Sequence, residues 1–380
     1  MSELEAAFGD RGAPGRRYAS RVAEVSQRRS TFLSFQPPAV GEEEVEAAAD
    51  AIRSGWLTTG PRAAELERRA AEYLGVEHVV AVASGTAALH LSLVALGVGP
   101  GDEVITTPVT WPATANVIVH CGATPVFADV RDGDLNIDPA EVARLAGPRT
   151  KAVIPVHLAG APCDMEALWA LGLPVIEDAA HAFETRFRDG SRPGQRSAAA
   201  CFSLYATKNV AAGEGGLIAT DDPEVAQAVN DLRIMRRGHG SLYDLAVPGY
   251  KANLSDIHAA IALCQLDKLD RHTEIRRRQF ALYDEGLAGL DGVTPVPLDP
   301  DVTHARHLYV VRVDRELAGA SRDDYQRALA DENVGTSIHF LPVHRLTWYR
   351  DRFPDQPPLP VAERAGDEIL SLPLSPAHSD

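Results

Sequence analysis

Apolar residues recur with a helical period in the N-terminal part of the chain. In the segment 42–53 they lie three or four positions apart, which predicts an amphipathic helix. The apolar positions of that segment are Val45, Ala48, Ala49 and Ile52. A second helix is predicted over 62–74, and a glycine, Gly55 or Gly75, follows each helix. Residues 1–31 are polar without a sustained period, so we expect a mobile arm there.

From residue 78 the pattern changes to short β-rich runs separated by helical stretches. The predicted strands are 78–82, 103–107, 125–129, 152–157, 175–178, 201–205 and 216–220. Helices are predicted between the earlier strands, at 86–96 and 111–121. Strands that alternate with helices favour an α/β fold, with a mixed, mostly parallel sheet covered by helices. We assign residues 32–253 to this large domain.

A different pattern begins near residue 254. Ser255 is a favourable N-cap residue for a strongly apolar helix. The elements predicted after it are an arginine-rich helix at 272–290, a strand at 307–313, a helix from Ser321 to near Gly335 and a strand at Thr336–Phe340. Together they predict a smaller α+β C-terminal domain over 254–380.

The amino-acid composition argues against some kinds of binding partner, namely nucleic acid and membranes. The net charge is −16, with 53 acidic against 37 basic residues, and such a surface repels nucleic acid. The four cysteines form no CxxC pair, no secretory leader is apparent, and no apolar run is long enough to cross a bilayer. We therefore expect a cytoplasmic protein without a membrane segment or a metal site.

Lysine is scarce in the chain, and this directs attention to one segment. The four lysines are Lys151, Lys208, Lys251 and Lys268. Lys208 directly follows the predicted strand 201–205, where burial can lower its pKa and make it nucleophilic toward an aldehyde. Ser203 can offer a hydroxyl to a phosphate nearby. The alternative is an ordinary solvated lysine.

Three other segments place polar or aromatic groups where predicted strands end. Ser84-Gly85-Thr86 begins a helix, whose free N–H groups can bind a phosphate, although an ordinary N-cap is the simpler explanation of this stretch alone. Asp178 can pair with a protonated ring nitrogen or cap a helix. His181 can contact the same ring or belong to the core, and Trp111 can stack on a flat ring or be a core residue.

The four kinds of group complement one another. A phosphate-binding helix start, a carboxylate, a stacking ring and an amine are what pyridoxal 5′-phosphate needs for its phosphate, its pyridine nitrogen, its ring face and its aldehyde. Each signal is weak by itself. Their joint occurrence at the ends of strands favours this cofactor.

On these residues the sequence resembles the DegT/DnrJ/EryC1/StrS family of nucleotide-sugar aminotransferases, from about Phe35 to Pro376. The segments that carry the resemblance are SGWLTTGP (54–61), SGTAALHLSLVALGVGPGDEVI (84–105), GATPVFADV (122–130), RTKAVIPVHLAGAPCDM (149–165), VIEDAAHAF (175–183), FSLYATKN (202–209), EGGLIATD (214–221) and SLPLSP (371–376). The resemblance implies the fold type I of pyridoxal-phosphate enzymes, with a large α/β domain and a smaller C-terminal domain.

The resemblance also implies roles for individual residues. Lys208 matches the Schiff-base lysine and Asp178 the partner of the pyridine nitrogen. The other cofactor positions implied are Trp111 for ring stacking, His181 beside the ring hydroxyl, and Gly85, Thr86 and Ser203 for the phosphate. Asn253 matches a residue that reaches the cofactor phosphate of the neighbouring subunit, which implies a homodimer.

The activity that the resemblance implies is amination of a nucleotide-linked keto sugar with L-glutamate as donor. The segment GYKANLSDIHAAIALCQLDKL (249–269) is most similar to members that aminate C4 of a 4-keto sugar, and Lys251, His339 and His344 match positions near the sugar-nucleotide cleft. The use of arginine in place of lysine indicates a GC-rich genome, in which thymidine-linked deoxyhexoses feed natural-product glycosylation. This favours a dTDP-linked 4-keto-6-deoxyhexose as the substrate.

Several alternatives remain open at this point. The same cofactor residues serve C3 amination of a 3-keto sugar, and a UDP-linked substrate is possible. One branch of the family has histidine in place of the lysine and catalyses dehydration, so Lys208 favours amination. A non-catalytic regulator is the most remote alternative, because Lys208 and Asp178 are both present.

Overall fold

The computed structural model describes residues 28–234, 245 and 247–378. Most of the predicted mobile arm, residues 1–27, lies outside the described residues. The two predicted N-terminal helices are confirmed as α1 (Glu42–Arg53) and α2 (Pro61–Leu74). Gly75 ends α2 with φ of 70°, in the left-handed region that glycine adopts without strain.

The large domain is built on one mixed sheet. Its strands are β1 (His78–Val82), β2 (Glu103–Thr106), β3 (Thr124–Phe127), β4 (Thr150–Ile154), β5 (Ile176–Asp178), β6 (Ala199–Ser203) and β7 (Gly216–Thr220). Bridges of Val153 with Val175 and of Val156 with Asp178 join β4 to β5, so the strand order is β3-β2-β4-β5-β6-β7-β1. Strand β7 is antiparallel to both neighbours and the other pairs are parallel, which confirms a mostly parallel sheet.

Helices cover both faces of this sheet. The helices that follow its strands are α3 (Gly85–Ala95), α4 (Ala113–His120), α5 (Pro139–Leu145), α6 (Met165–Trp169) and α7 (Pro223–Ile234). Leu217 packs into the core beneath α2, whereas its neighbour Ile218 packs into the core beneath α3 and α7. Burial on both faces explains why the strands are apolar throughout their length.

One long helix, α8 (Asp256–Leu287), follows the large domain. Ser255 is its N-cap as predicted, with Oγ accepting a hydrogen bond from the His258 N–H. The prediction of two successive helices is wrong, because α8 is continuous over 32 residues. No glycine or proline lies between the apolar and the arginine-rich halves, and Arg and Lys are favourable helix residues, so nothing ends the helix there.

The C-terminal part contains a small antiparallel sheet with helices. Its strands are β8 (Val293–Pro295), β9 (Tyr309–Val313) and β10 (Ile369–Leu372), in the order β10-β9-β8. Its helices are α9 (Arg315–Ala318), α10 (Arg322–Asp331), α11 (Thr347–Arg352) and α12 (Pro360–Glu368). Ser321 caps α10 as predicted, but the helix ends at Asp331, before Gly335.

The prediction of a strand at Thr336–Phe340 is wrong. Only Ser337 pairs with β10, through two backbone hydrogen bonds with Ser371, and this makes an isolated bridge. The preference of apolar and β-branched residues for strands is too weak to form a strand where no further backbone partner is in reach.

The domain boundary predicted at residue 254 stays a prediction. Helix α8 starts there, and its residues Ala259 and Leu269 pack into the core of the large domain. Phe280, in the same helix, packs with β9 and β10 in the C-terminal core. Among the residues described, no helix is both long and apolar enough to cross a membrane.

Candidate active site

The start of helix α3 offers backbone donors close to Ser203. Ser84 caps the helix, with Oγ accepting from the Ala87 N–H at 3.0 Å, while the first N–H groups of a helix have no partner inside it. Gly85 lies so close to Ser203 that a Cβ on Gly85 would be 3.0 Å from the Ser203 Cβ. Gly85, the exposed Thr86 and Ser203 are thus brought together at the positive end of the helix.

A buried carboxylate, that of Asp178, lies at the end of strand β5, which pairs with the strand β6 that ends at Ser203. Asp178 Oδ2 accepts a hydrogen bond from Thr114 Oγ1 at 2.8 Å, and Oδ1 accepts from the Ala180 N–H at 3.2 Å. Burial raises the pKa of Asp178, against the opposing effects of these two bonds and of the charge of Lys208. The site therefore favours a cationic partner for this carboxylate.

Lys208 follows strand β6, which is parallel to β5, so its amino group and Asp178 are at the same edge of the sheet. Burial lowers the pKa of Lys208 to about 8, and the charge of Asp178 acts in the opposite direction. A large fraction of the amine is therefore neutral near pH 8, and the neutral form is the nucleophile. Lys208 is half-buried, which disfavours the alternative of an ordinary solvated lysine.

The rings of His181 and Trp111 both lie about 6 Å from the ring of Phe340. His181 is buried and its Nδ1 accepts from the Ala159 N–H at 3.3 Å, so its proton is on Nε2. Burial holds the pKa of His181 well below its usual range, which keeps the ring neutral. Trp111 is 63% exposed, with its ring centroid 6.1 Å from that of Phe340, so it is not a core residue and its indole is available for stacking.

The structure separates the two histidines that the sequence placed near the substrate. The His339 ring lies 4.9 Å from that of Phe340, which in turn stacks on His181. Burial and then the charge of Lys208 lower the pKa of His339 to about 4. Its Nδ1 is 2.9 Å from Ser371 Oγ. His344 instead packs beside Phe127, with Nε2 3.4 Å from Glu363 Oε1. A role for His344 thus receives no support from its contacts, while His339 is placed with the cluster.

Asn253 and Lys251 lie beside the end of strand β1. Asn253 bridges to Val82, and its Nδ2 donates to Thr59 Oγ1 at 2.7 Å. The exposed Lys251 donates to Asn253 Oδ1. The amide is therefore held on the segment 58–59 of its own chain, and the roles implied for Asn253 and Lys251 stay predictions.

Sequence reasoning missed the polar groups that surround Asn209, the residue after Lys208. Asn209 Nδ2 donates to both carboxylate oxygens of Glu184, at 2.8 and 2.9 Å, and Oδ1 is 3.0 Å from His307 Nδ1. The His307 ring lies 4.4 Å from that of His181. These partners are 25 and 98 residues from Asn209 in the sequence, and no local pattern signals such contacts.

The residues present fit pyridoxal phosphate. The start of α3 can accept an anionic group close to the backbone because Gly85 has no Cβ there. Asp178 can hold a protonated ring nitrogen, Trp111 can cover a ring face, and Lys208 can bind an aldehyde. Each function of the cofactor has a group at the same sheet edge.

Comparison with known proteins agrees with this arrangement. The sequence profile of the DegT/DnrJ/EryC1/StrS aminotransferase family matches residues 38–380. The spore coat polysaccharide biosynthesis protein SpsC of Bacillus subtilis (strain 168) is 43% identical over 370 residues, which is 93% of this chain and 95% of SpsC.

Solved structures extend the comparison. DesI, crystallised with its TDP-sugar product, is 34% identical with a TM-score of 0.86, covering 94% of this chain and 92% of DesI. The sugar aminotransferase Spr1654 of Streptococcus pneumoniae, in its PLP form, is 32% identical with a TM-score of 0.86, over 92% of this chain and 95% of that one. Spr1654 has also been solved in a PMP form. The chain therefore belongs to the DegT/DnrJ/EryC1/StrS aminotransferase family and is a pyridoxal 5′-phosphate-dependent aminotransferase of fold type I.

Proposed function

We propose that this enzyme transfers an amino group from L-glutamate to C4 of a nucleotide-linked 4-keto sugar, most specifically a dTDP-4-keto-6-deoxyhexose. The products are 2-oxoglutarate and the dTDP-4-amino-4,6-dideoxyhexose. The observation that carries the proposal is the amine of Lys208, whose pKa is lowered to about 8 beside the buried Asp178. An amine in this state can both hold an aldehyde and exchange protons near neutral pH.

The roles of the residues follow from their positions. Lys208 would hold the cofactor aldehyde and, when its amine is free, would move the proton at the reacting carbon as base and then as acid. Asp178, held by Thr114 and Ala180, would keep the ring nitrogen protonated. The cofactor would supply an electron sink when it is bound. Trp111 and His181 would fix the ring plane, and Gly85, Thr86 and Ser203 would bind the phosphate.

The sugar substrate is supported by two relatives and by the position of His339. DesI was crystallised with a TDP-sugar product, and SpsC is named for polysaccharide biosynthesis. His339 lies near Lys208, is neutral, and can exchange hydrogen bonds with a sugar hydroxyl. We assign Lys251 and His344 to the nucleotide side on the resemblance alone. A cytoplasmic location suits the four free cysteines.

The substrate is tested by incubating the aminated cofactor form of the enzyme with four compounds, the dTDP- and UDP-linked 4-keto and 3-keto sugars. Mass spectrometry shows which compound gains an amine and NMR shows at which carbon. Amination of the dTDP-linked 4-keto sugar at C4 is expected. Amination only at C3 would replace the proposed position, and loss of water without gain of nitrogen would replace the reaction.

We also propose that two subunits share each active site. Exposed apolar side chains flank the segment that holds Asn253, namely Trp56, Leu57 and Tyr250. Such a surface is typical of an interface between subunits. Asn253 would then reach the cofactor phosphate of the partner.

Mixing two inactive variants tests the shared site. Lys208→Ala and Asn253→Asp are each expected to inactivate a homodimer, while a mixed dimer regains one intact site. Random re-association should restore about a quarter of the original activity. Controls are each variant re-associated alone. A mixture that stays inactive despite confirmed subunit exchange would show that Asn253 serves its own subunit.

A further inference from the structure

Lys208 lies in an irregular turn that joins strand β6 to strand β7, and we call residues 204–215 the lysine turn. Hydrogen bonds between main-chain groups hold the base of the turn, where the Ala206 N–H donates to Gly213 O at 3.1 Å. Lys208 itself belongs to no helix or strand. Connecting segments are generally more mobile than the elements they connect, so the position of a functional side chain on a turn depends on further contacts.

Asn209, the next residue, is buried, and its side chain joins the lysine turn to two distant segments. Its Nδ2 donates to the Glu184 carboxylate at 2.8 and 2.9 Å and to Ala305 O at 2.9 Å. An ionised carboxylate and a carbonyl only accept, so the amide nitrogen faces them and Oδ1 faces His307 Nδ1, which must carry a proton. Because the His307 ring packs on that of His181, the same amide also connects the turn to the His181 side of the site.

Glu184 is held in turn by helix α8. Its Oε1 accepts from Thr273 Oγ1 at 3.4 Å and lies 3.8 Å from Arg276 Nη1. The side chains of Glu184 and Arg276 are only 4% and 5% exposed. Burial raises the pKa of Glu184, and the charge of Arg276 and the hydrogen bond from Asn209 oppose this rise. A buried carboxylate is costly unless it is paired and hydrogen-bonded, and none of the roles assigned above uses this one.

We propose that Glu184 is a positioning residue for Lys208 and acts through the side-chain amide of Asn209. Helix α8 is anchored in two cores, and Glu184 connects it to the lysine turn. The Asn209 amide then fixes the main chain one residue after Lys208, which limits where the amine can reach. A reacting group that is misplaced by about 1 Å can lower a rate about 10²-fold. This role rests on the function proposed above for Lys208 and adds the groups that set its position.

Two matched comparisons test this role. Glu184→Met and Glu184→Gln both remove the charge beside Arg276, but only glutamine keeps an oxygen that can accept from Asn209. Asn209→Ala removes the amide and leaves the ion pair in place. Its control is Thr273→Val, which removes a hydrogen bond to Glu184 from the side of α8. Every variant keeps the charged and titratable groups around Lys208, namely Asp178, His181, His272, Arg276, His307 and His339.

The first readout is the reactivity of the amine in the cofactor-free, full-length protein. Trace acetylation at a series of pH values is followed by peptide mass spectrometry, with the exposed Lys151 as internal reference. The unaltered protein should show a midpoint near pH 8, because burial lowers the pKa of Lys208 to about 8. In Asn209→Ala and Glu184→Met the amine can turn toward water, so the midpoint should rise by about one pH unit, toward the ordinary lysine pKa of about 10.4. Glu184→Gln and Thr273→Val should keep the midpoint.

The second readout is steady-state kinetics of the loaded enzyme. Asn209→Ala and Glu184→Met should lower kcat about 10- to 100-fold, while KM for the donor changes by less than about threefold. Thermal unfolding shows which variants are folded, and each position is decisive by itself if the variant at the other does not fold.

The positioning role is overturned if folded Asn209→Ala keeps the midpoint and kcat of the unaltered enzyme, or if Glu184→Met and Glu184→Gln agree in both. Failure of borohydride to link the cofactor to Lys208 in the unaltered enzyme would instead contradict the function proposed for that lysine.

Discussion

In the function proposed above, the start of helix α3 and the region around Lys208 would bind different parts of one ligand by different physical means. The helix start offers backbone N–H groups and the hydroxyls of Thr86 and Ser203, and none of these groups titrates. Gly85 leaves space beside them because it has no Cβ. The Lys208 region uses Asp178, His181 and the lysine itself, and burial shifts the pKa of all three. Changes in the first region should alter affinity for the cofactor, and changes in the second should alter rate and pH dependence.

The largest effect is expected for Lys208→Ala. Removing the amine eliminates both the covalent attachment and the proton transfer, so turnover should fall by about 10⁴-fold or more. Steady-state kinetics with borohydride trapping of the cofactor measures both losses. The exposed Lys151→Ala is the matched control and should retain full activity. Substantial turnover in Lys208→Ala would refute its assignment.

Asp178→Asn keeps the shape of the side chain and removes its charge. The ring nitrogen would then lose its anionic partner, and kcat should fall about 10²–10³-fold with a smaller change in cofactor affinity. Thr114→Val removes the hydroxyl that donates to Oδ2, together with its contacts to Thr110 Oγ1 and Trp111 O, and should lower kcat by about tenfold, since the carboxylate becomes easier to protonate. Equal kcat values for Asp178→Asn and the unaltered enzyme would show that the carboxylate only stabilises the fold.

Gly85→Ala tests the other region. The added Cβ would be 3.0 Å from the Ser203 Cβ, so Ser203 or the helix start must shift. Overpacking of this size should weaken binding of the cofactor by about 10- to 100-fold. Equilibrium dialysis measures the affinity, and Gly99→Ala, whose Cβ would meet no atom within 4 Å, is the control. A change in the pH profile with unchanged affinity would contradict the division between the two regions.

The smallest expected effect comes from pH. Only the neutral amine attacks an aldehyde, so the rate at which the cofactor-free protein rebinds pyridoxal phosphate should rise as Lys208 loses its proton. With a pKa of about 8, the rate should rise about tenfold from pH 7 to pH 9 and then level off. Stopped-flow absorbance measures the rate. A rate that climbs steadily to pH 10 would indicate an ordinary lysine.

The sequence predicted the sheet because its signals are local. The bounds of β1 and β7 agree with the predicted 78–82 and 216–220, since apolar runs between turn residues define buried strands. The groups at the strand ends, Asp178 and Lys208, could be assigned to one edge for the same reason. The division of α8 and the strand at Thr336–Phe340 were predicted wrongly, and in both places tertiary contacts decide the structure.

The parts of the site that sequence reasoning missed depend on contacts between distant segments. Arg276 and Glu184 are 92 residues apart in the sequence, and both are buried. Residue type does not predict this burial, because arginine and glutamate are usually exposed. The ion pair between them could therefore not be inferred before the packing of α8 was known.

Helix α8 has a mechanical consequence for ligand exchange. It contains no proline, and its one glycine, Gly286, is in the last turn. Leu269 and Phe280 anchor it in two different cores. Kinks in helices usually need a proline, a glycine pair or an inserted residue, so helix α8 has no hinge at its centre. We expect ligands to enter and leave through fluctuations of surface loops, with the two cores keeping a fixed mutual orientation throughout the catalytic cycle.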